Sequence, residues 1–123
     1  MPRILLVDDD EVVRRLLGKI LVHAQYEVEE APNGAIALEA FRRRPHDLVI
    51  TDIVMPEKEG LETLRELRQH RNVKVIAISG GGLGPAEGYL EVARRLGATR
   101  IVMKPFSPEQ ILQVIADVLA TPQ

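Results

Sequence analysis

Hydrophobic and polar positions along this chain follow two alternating rhythms. Short apolar runs of strand length are followed by longer segments in which apolar residues return every three or four positions. Ile4-Leu5-Leu6-Val7 has no polar member, the pattern of a strand covered on both faces. From about Asp10 to Ala24 the apolar positions Val13, Leu16, Leu17, Ile20 and Leu21 predict a helix, with Arg14, Arg15 and Lys19 off its stripe. Tyr26 to Glu30 alternates and predicts a half-exposed edge strand. Asn33 is placed to cap a helix from about Gly34 to Arg43, with Ile36, Ala37, Ala40 and Phe41 inward. Pro45 closes it.

The second half repeats the scheme. Asp47 to Thr51 is a third strand, Pro56 to Gly60 a loop, and Leu61, Leu64 and Leu67 mark a helix ending near His70. Val73 to Ser79 is a fourth strand, followed by the glycine-rich stretch Gly80 to Gly84. Pro85 fits the first turn of a fourth helix, which Leu96-Gly97 ends. Arg100 to Met103 is a fifth strand. Ser107 caps a last helix with Pro108 at its first position, Glu109 and Gln110 in its first turn, and a stripe of Ile111, Val114, Ile115, Val118 and Leu119. Strict strand–helix alternation implies a parallel sheet between two layers of helices, a three-layer α/β/α fold. With right-handed crossovers, the flavodoxin-like order 2-1-3-4-5 fits best, because the first and third strands are strongly apolar and the second reads as an edge.

Composition narrows the function. A chain of 123 residues suits one domain spanning 1–123, and 46% hydrophobic with 28% charged residues is the balance of a folded globular protein. Without cysteine there is no disulfide scaffold, thiol nucleophile or thiolate metal site. Sixteen basic against eighteen acidic residues leave a net charge of −2, which with few aromatics argues against nucleic-acid binding by this domain. No segment reaches the length of a membrane span. Met1-Pro2-Arg3 runs directly into the first strand, with no room for a signal peptide, so a cytoplasmic protein is expected.

In an open parallel sheet, ligands bind beyond the carboxyl ends of the strands where their order reverses. Those ends carry Asp8-Asp9-Asp10, Thr51-Asp52, Ser79-Gly80 and Met103-Lys104-Pro105. Adjacent strands lie about 4.8 Å apart, so Asp8, Asp9 and Asp52 converge. Clustered carboxylates repel one another, and a hard cation such as Mg²⁺ relieves that repulsion. Lys104 adds a fixed positive charge and Ser79 a hydroxyl donor. Together they make a site for a phosphoryl group, whose oxygens need charge neutralisation from several directions. The glycine stretch lacks the ending of a P-loop, and no Gly-x-Gly-x-x-Gly follows the first strand, so nucleotide binding is disfavoured. Asp10 reads as a helix cap, and His23, His46 and His70 as structural or surface residues.

The ordered set Ile4 to Asp10, Asp47 to Pro56 followed by Gly60, Ser79-Gly80, Tyr89-Leu90 with Leu96-Gly97-Ala98, and Lys104-Pro105-Phe106 resembles the response-regulator receiver domains of two-component signalling, the CheY-like family, over essentially the whole chain. The resemblance implies a phosphoprotein domain rather than an enzyme. Asp52 would accept a phosphoryl group from a histidine kinase or histidine phosphotransfer protein as an aspartyl phosphate. Asp8, Asp9, Asp52 and the backbone carbonyl of Val54 would hold Mg²⁺, with Asp8 acting largely through water. Ser79, Gly80 and Lys104 would bind the phosphoryl group and begin the switch. The Lys104–Pro105 peptide would be cis. The apolar side of the first helix would dock the histidine-bearing bundle, with Val12 beside that stripe. The face made by the fourth helix, fifth strand and fifth helix would then bind a downstream partner, or an output domain missing from this chain.

The chain departs from the family at Ile101, where an aromatic residue usually swings inward, so coupling to the output face should be weaker or slower. Two other readings stand beside this one. A receiver fold serving as a phosphorylation-independent scaffold keeps the residues but not the chemistry. A haloacid-dehalogenase-like phosphatase would use Asp8 as nucleophile and Asp10 as general acid, since Asp8-Asp9-Asp10-Glu11-Val12 matches the letters of its motif.

Overall fold

The apolar run near the amino terminus becomes an inner strand of a parallel sheet, and its alternation decides which helices cover which face. The computed structural model describes residues 1–52, 65–67, 69, 73–79 and 97–121, Ser79 by its backbone alone. The strands are β1 (Arg3–Val7), β2 (Glu27–Ala31), β3 (Leu48–Asp52), β4 (Lys74–Ser79) and β5 (Arg100–Met103). They pair in parallel in the order β2-β1-β3-β4-β5, the flavodoxin-like topology.

Three helices are described over their full length: α1 (Glu11–His23), α2 (Gly34–Arg43) and the carboxy-terminal helix, here α3 (Pro108–Ala120). Each starts at the cap its sequence offers. Asp10 accepts the N–H groups of Val12 and Val13, and Asn33 accepts that of Ile36. Ser107 and Gln110 exchange side-chain and backbone bonds in a capping box.

Successive strand residues point to opposite faces. Ile4 and Leu6 join Leu48, Ile50, Ile76, Ile78 and Val102 under α1 and α3, meeting Leu17, Leu21, Ile111, Ile115 and Val118. Leu5 and Val7 join Val49, Val75 and Ala77 on the other face, against Ala37, Ala40 and Phe41 of α2 and Leu67. Both faces of the inner strands β1 and β3 are therefore buried and largely apolar, and the polar chemistry is left to the strand ends.

Several details differ from the sequence pattern. Leu16 and Ile36 were expected inward but are 61% and 42% exposed. Each precedes a buried residue, Leu17 or Ala37, and one residue turns a helix by about 100°. The second strand starts at Glu27 rather than Tyr26, because the Tyr26 N–H donates to Leu21 O at the end of α1 while the Glu27 N–H donates to Pro2 O. Gln25 takes the left-handed turn after α1 at φ 71, a place usually given to glycine. Gly97 takes φ 98, a left-handed value that glycine adopts without strain. The Pro56–Gly60 loop, the third helix outside residues 65–67, the glycine stretch and the fourth helix lie outside the described residues. No helix among the described residues is long and apolar enough to cross a membrane.

Candidate functional site

Strand register builds the site. Val7 pairs with Thr51, so Asp8, just past β1, and Asp52, the last residue of β3, leave the sheet side by side. On the far side Asp52 pairs with Ile78, and Ser79 pairs with Met103, one residue before Lys104. Asp8, Asp9 and Asp52 each offer a carboxylate oxygen within 4.8 Å of the others. Asp8 and Asp52 are buried and Asp9 is exposed. The Lys104 Nζ donates to Asp52 Oδ2 at 3.0 Å and lies 3.6 Å from Asp8 Oδ2.

The backbone around these groups is firmly held. The Asp8 N–H continues the ladder to Ala31 O, and Asp8 Oδ1 accepts the Asp10 N–H at 2.9 Å. The buried Thr51 hydroxyl donates to the Asp52 carbonyl at 3.2 Å. Burial pushes the Asp8 carboxyl above its ordinary range, and the charges of Asp52 and Asp9 add to this, against the Asp10 N–H and Lys104. Burial alone would lower the Lys104 ammonium, but the hydrogen bond and charge of Asp52, together with Asp8, outweigh it and raise it. Three convergent carboxylates facing one ammonium, with one of them resisting ionisation, form a hard oxygen donor set that fits Mg²⁺.

The family model described as "Response regulator receiver domain" matches residues 4–116. The chain belongs to that family. The receiver is 32% identical over 111 residues to the transcriptional regulatory protein SrrA of Staphylococcus aureus, across 89% of this chain and 44% of that protein. It thus spans less than half the length of that curated relative. The crystal structure of the receiver domain of NtrX from Brucella abortus superposes with a TM-score of 0.88 at 33% identity, covering 97% of this chain and 99% of that one. A CheY-like receiver domain protein from Methanospirillum hungatei gives a TM-score of 0.88 at 30% identity, covering 97% and 94%.

Among the residues that the sequence singled out, the receiver brings Asp8, Asp9, Asp52 and Lys104 together. Ser79 takes its place at the end of β4, and the Lys104–Pro105 peptide is cis. Ile101 is half-buried against the α2-side core. Val54, Gly80 and the side chain of Ser79 lie outside the described residues. Asp10 is engaged as the cap of α1.

Two residues near these elements make contacts that their sequence pattern does not mark. Arg14, read as an off-stripe charge, reaches back to donate to the Asp8 carbonyl at 2.9 Å and to Glu30 at 3.0 Å. Its one signal was Gly18, a glycine a single turn further along an otherwise good helix former. His46 is fully buried beside Phe41, a position that no motif marks.

Proposed function

We propose that this receiver accepts a phosphoryl group on Asp52 from a phosphohistidine of a histidine kinase or histidine phosphotransfer protein, and that the aspartyl phosphate changes its affinity for a downstream partner. The observation that carries this reading is the convergence of Asp8, Asp9 and Asp52 within 4.8 Å, with Lys104 3.0 Å from Asp52. An Asp52 carboxylate oxygen attacks phosphorus in line. The new O–P bond forms as the P–N bond breaks, and the imidazole leaves with the electron pair and takes up a proton. Lys104 already bonds Asp52 Oδ2, so it orients the carboxylate before attack and meets the added negative charge afterwards. Asp8, Asp9, Asp52 and the Val54 carbonyl would hold Mg²⁺, which supplies charge neutralisation to the phosphoryl oxygens. Ser79 and Gly80, at the end of β4, would meet those oxygens and begin the switch.

Docking of the donor is supported by an apolar cleft of about 330 Å³ between α1 and the Lys104–Pro108 segment. Leu16, Leu17, Pro105 and Phe106 line it, and Val12 on the same helix is 76% exposed. Such a groove suits the apolar stripe of a helical bundle carrying the histidine. Ile101, packed against the core without an aromatic ring, supports a weak coupling between Asp52 and the face of β5 and α3. Asp10 Oδ1 accepts two helix N–H groups, which supports a capping role for it over that of a general acid.

The test is intact mass spectrometry after incubation with Mg²⁺ and acetyl phosphate. One phosphoryl adduct, labile to hydroxylamine and absent from Asp52→Asn and from a chelated sample, is expected. An adduct that survives in Asp52→Asn and vanishes in Asp8→Asn would instead establish the phosphatase-like nucleophile. Folded protein that takes no phosphoryl group from either the small donor or a phosphohistidine protein would establish a scaffold.

A further inference from the structure

We infer that Arg14 is a positioning residue for the acidic cluster, fixing the Asp8–Asp9 turn from behind; the inference rests on reading that cluster as the Mg²⁺ and phosphoryl-transfer site. Asp8 stands where the β1 ladder ends. Its N–H is held by Ala31 and its carboxylate by the Asp10 N–H, with Lys104 opposite. Its carbonyl lies beyond the last ladder pair, and the Arg14 Nη1 donates to it at 2.9 Å. The same guanidinium donates from Nε to Glu30 Oε1 at 3.0 Å, next to the last residue of β2. Only 11% of the Arg14 side chain is exposed.

A guanidinium is planar, and its donors point at fixed angles, so two bonds from one fork determine its plane. Glu30 therefore orients Arg14, and Arg14 orients the Asp8 carbonyl. The peptide plane is rigid, so the Asp8 carbonyl sets the direction of the Asp9 N–H and Cα, which carry the exposed carboxylate of the cluster. Gly18 completes the arrangement. A Cβ there would stand 3.2 Å from Glu30 Oε2, and the neighbouring carboxylate would have to shift. The adjacent Arg15 does none of this; it is 68% exposed and pairs with Glu11 on its own helix.

The experiment is an NMR titration of the full chain with MgCl₂, following the amides of residues 8–10, beside a thermal melt of each variant. Arg14→Met should weaken Mg²⁺ binding about tenfold or more, the usual scale for groups that orient metal ligands. Glu30→Gln and Arg14→Lys should weaken it in the same direction by less, and Arg15→Met should leave it unchanged. A purely structural role would lower the melting temperature and leave the dissociation constant alone. Folded Arg14→Met and Glu30→Gln that bind within about twofold of the parent overturn the inference. Should Arg14→Met not fold, Arg14→Lys and Glu30→Gln decide by the same criterion. A parent chain with no Mg²⁺ response overturns the site reading and this inference together, whereas a responsive parent matched by its variants overturns the role of Arg14 alone.

Discussion

At His46 the ring is enclosed between a stacked Phe41, 6.1 Å away, and the Glu29 carboxylate, 2.9 Å from its Nε2. Its Nδ1 is buried with no hydrogen-bond partner among the described residues. Burial pushes the imidazole below its ordinary value, helped by the Arg3 charge and opposed by Glu29 and Asp47. The unfolded chain therefore takes up a proton first as pH falls. The stability that neutral His46 contributes is complete above about 6.5 and is lost as pH falls through the lower folded-state value. Urea midpoints measured from pH 7.5 down to pH 5 should decline more steeply for the parent than for His46→Leu. Equal slopes would show that the ring titrates as it does in the unfolded chain. Arg14 teaches a related lesson at this scale. A helical pattern assigns a charge to the solvent side, yet the end of a neighbouring strand can take it back inside.

Elements end where their orphan groups find partners, and α3 finds its partner on another element. It has no basic residue in its last turn to meet its own dipole. Lys74, at the start of β4, supplies the charge instead, donating to the carbonyls of Val118 at 2.9 Å and Leu119 at 3.4 Å and to that of Thr121. Lys74→Met keeps most of the stem and removes the ammonium. It should cost about 1 kcal/mol and speed amide exchange selectively in the last turn of α3. Uniform loss of protection, or none, would show that Lys74 does not hold this end. Element starts were legible in the sequence because Asp10, Asn33 and Ser107 act locally, through bonds to residues two or three positions on. The end of α1 was less so. Gln25 accepts a left-handed backbone without being glycine, and Tyr26 bonds back to the helix, which moved the edge strand by one residue.

Across the whole molecule, topology made the site legible. Once alternation fixes a parallel sheet in the order 2-1-3-4-5, chain positions far apart in sequence must share one rim, and Asp8, Asp52 and Lys104 meet there without any local signal linking them. Surfaces were harder to read, because whether Leu16 faces the core or the solvent depends on how α1 rolls against α3 and the Lys104–Pro108 segment. That roll separates the acidic cluster from the apolar cleft in space. The acidic cluster sits at the strand ends, while the apolar cleft opens beside it on the helical side. Leu16 is 61% exposed, so Leu16→Asp should change stability by no more than about 0.5 kcal/mol. It is not a member of the carboxylate cluster, so phosphorylation by acetyl phosphate should keep its rate. Transfer from a phosphohistidine-bearing helical bundle should fall about tenfold or more, since a charge would enter the centre of an apolar contact. Both rates are to be measured on one preparation. A fall in both would place the effect at Asp52 or in the fold, and a fall in neither would move the donor to another face of the receiver. Loss of protein-mediated transfer alone would tie the cleft to recognition and leave the chemistry with the strand ends.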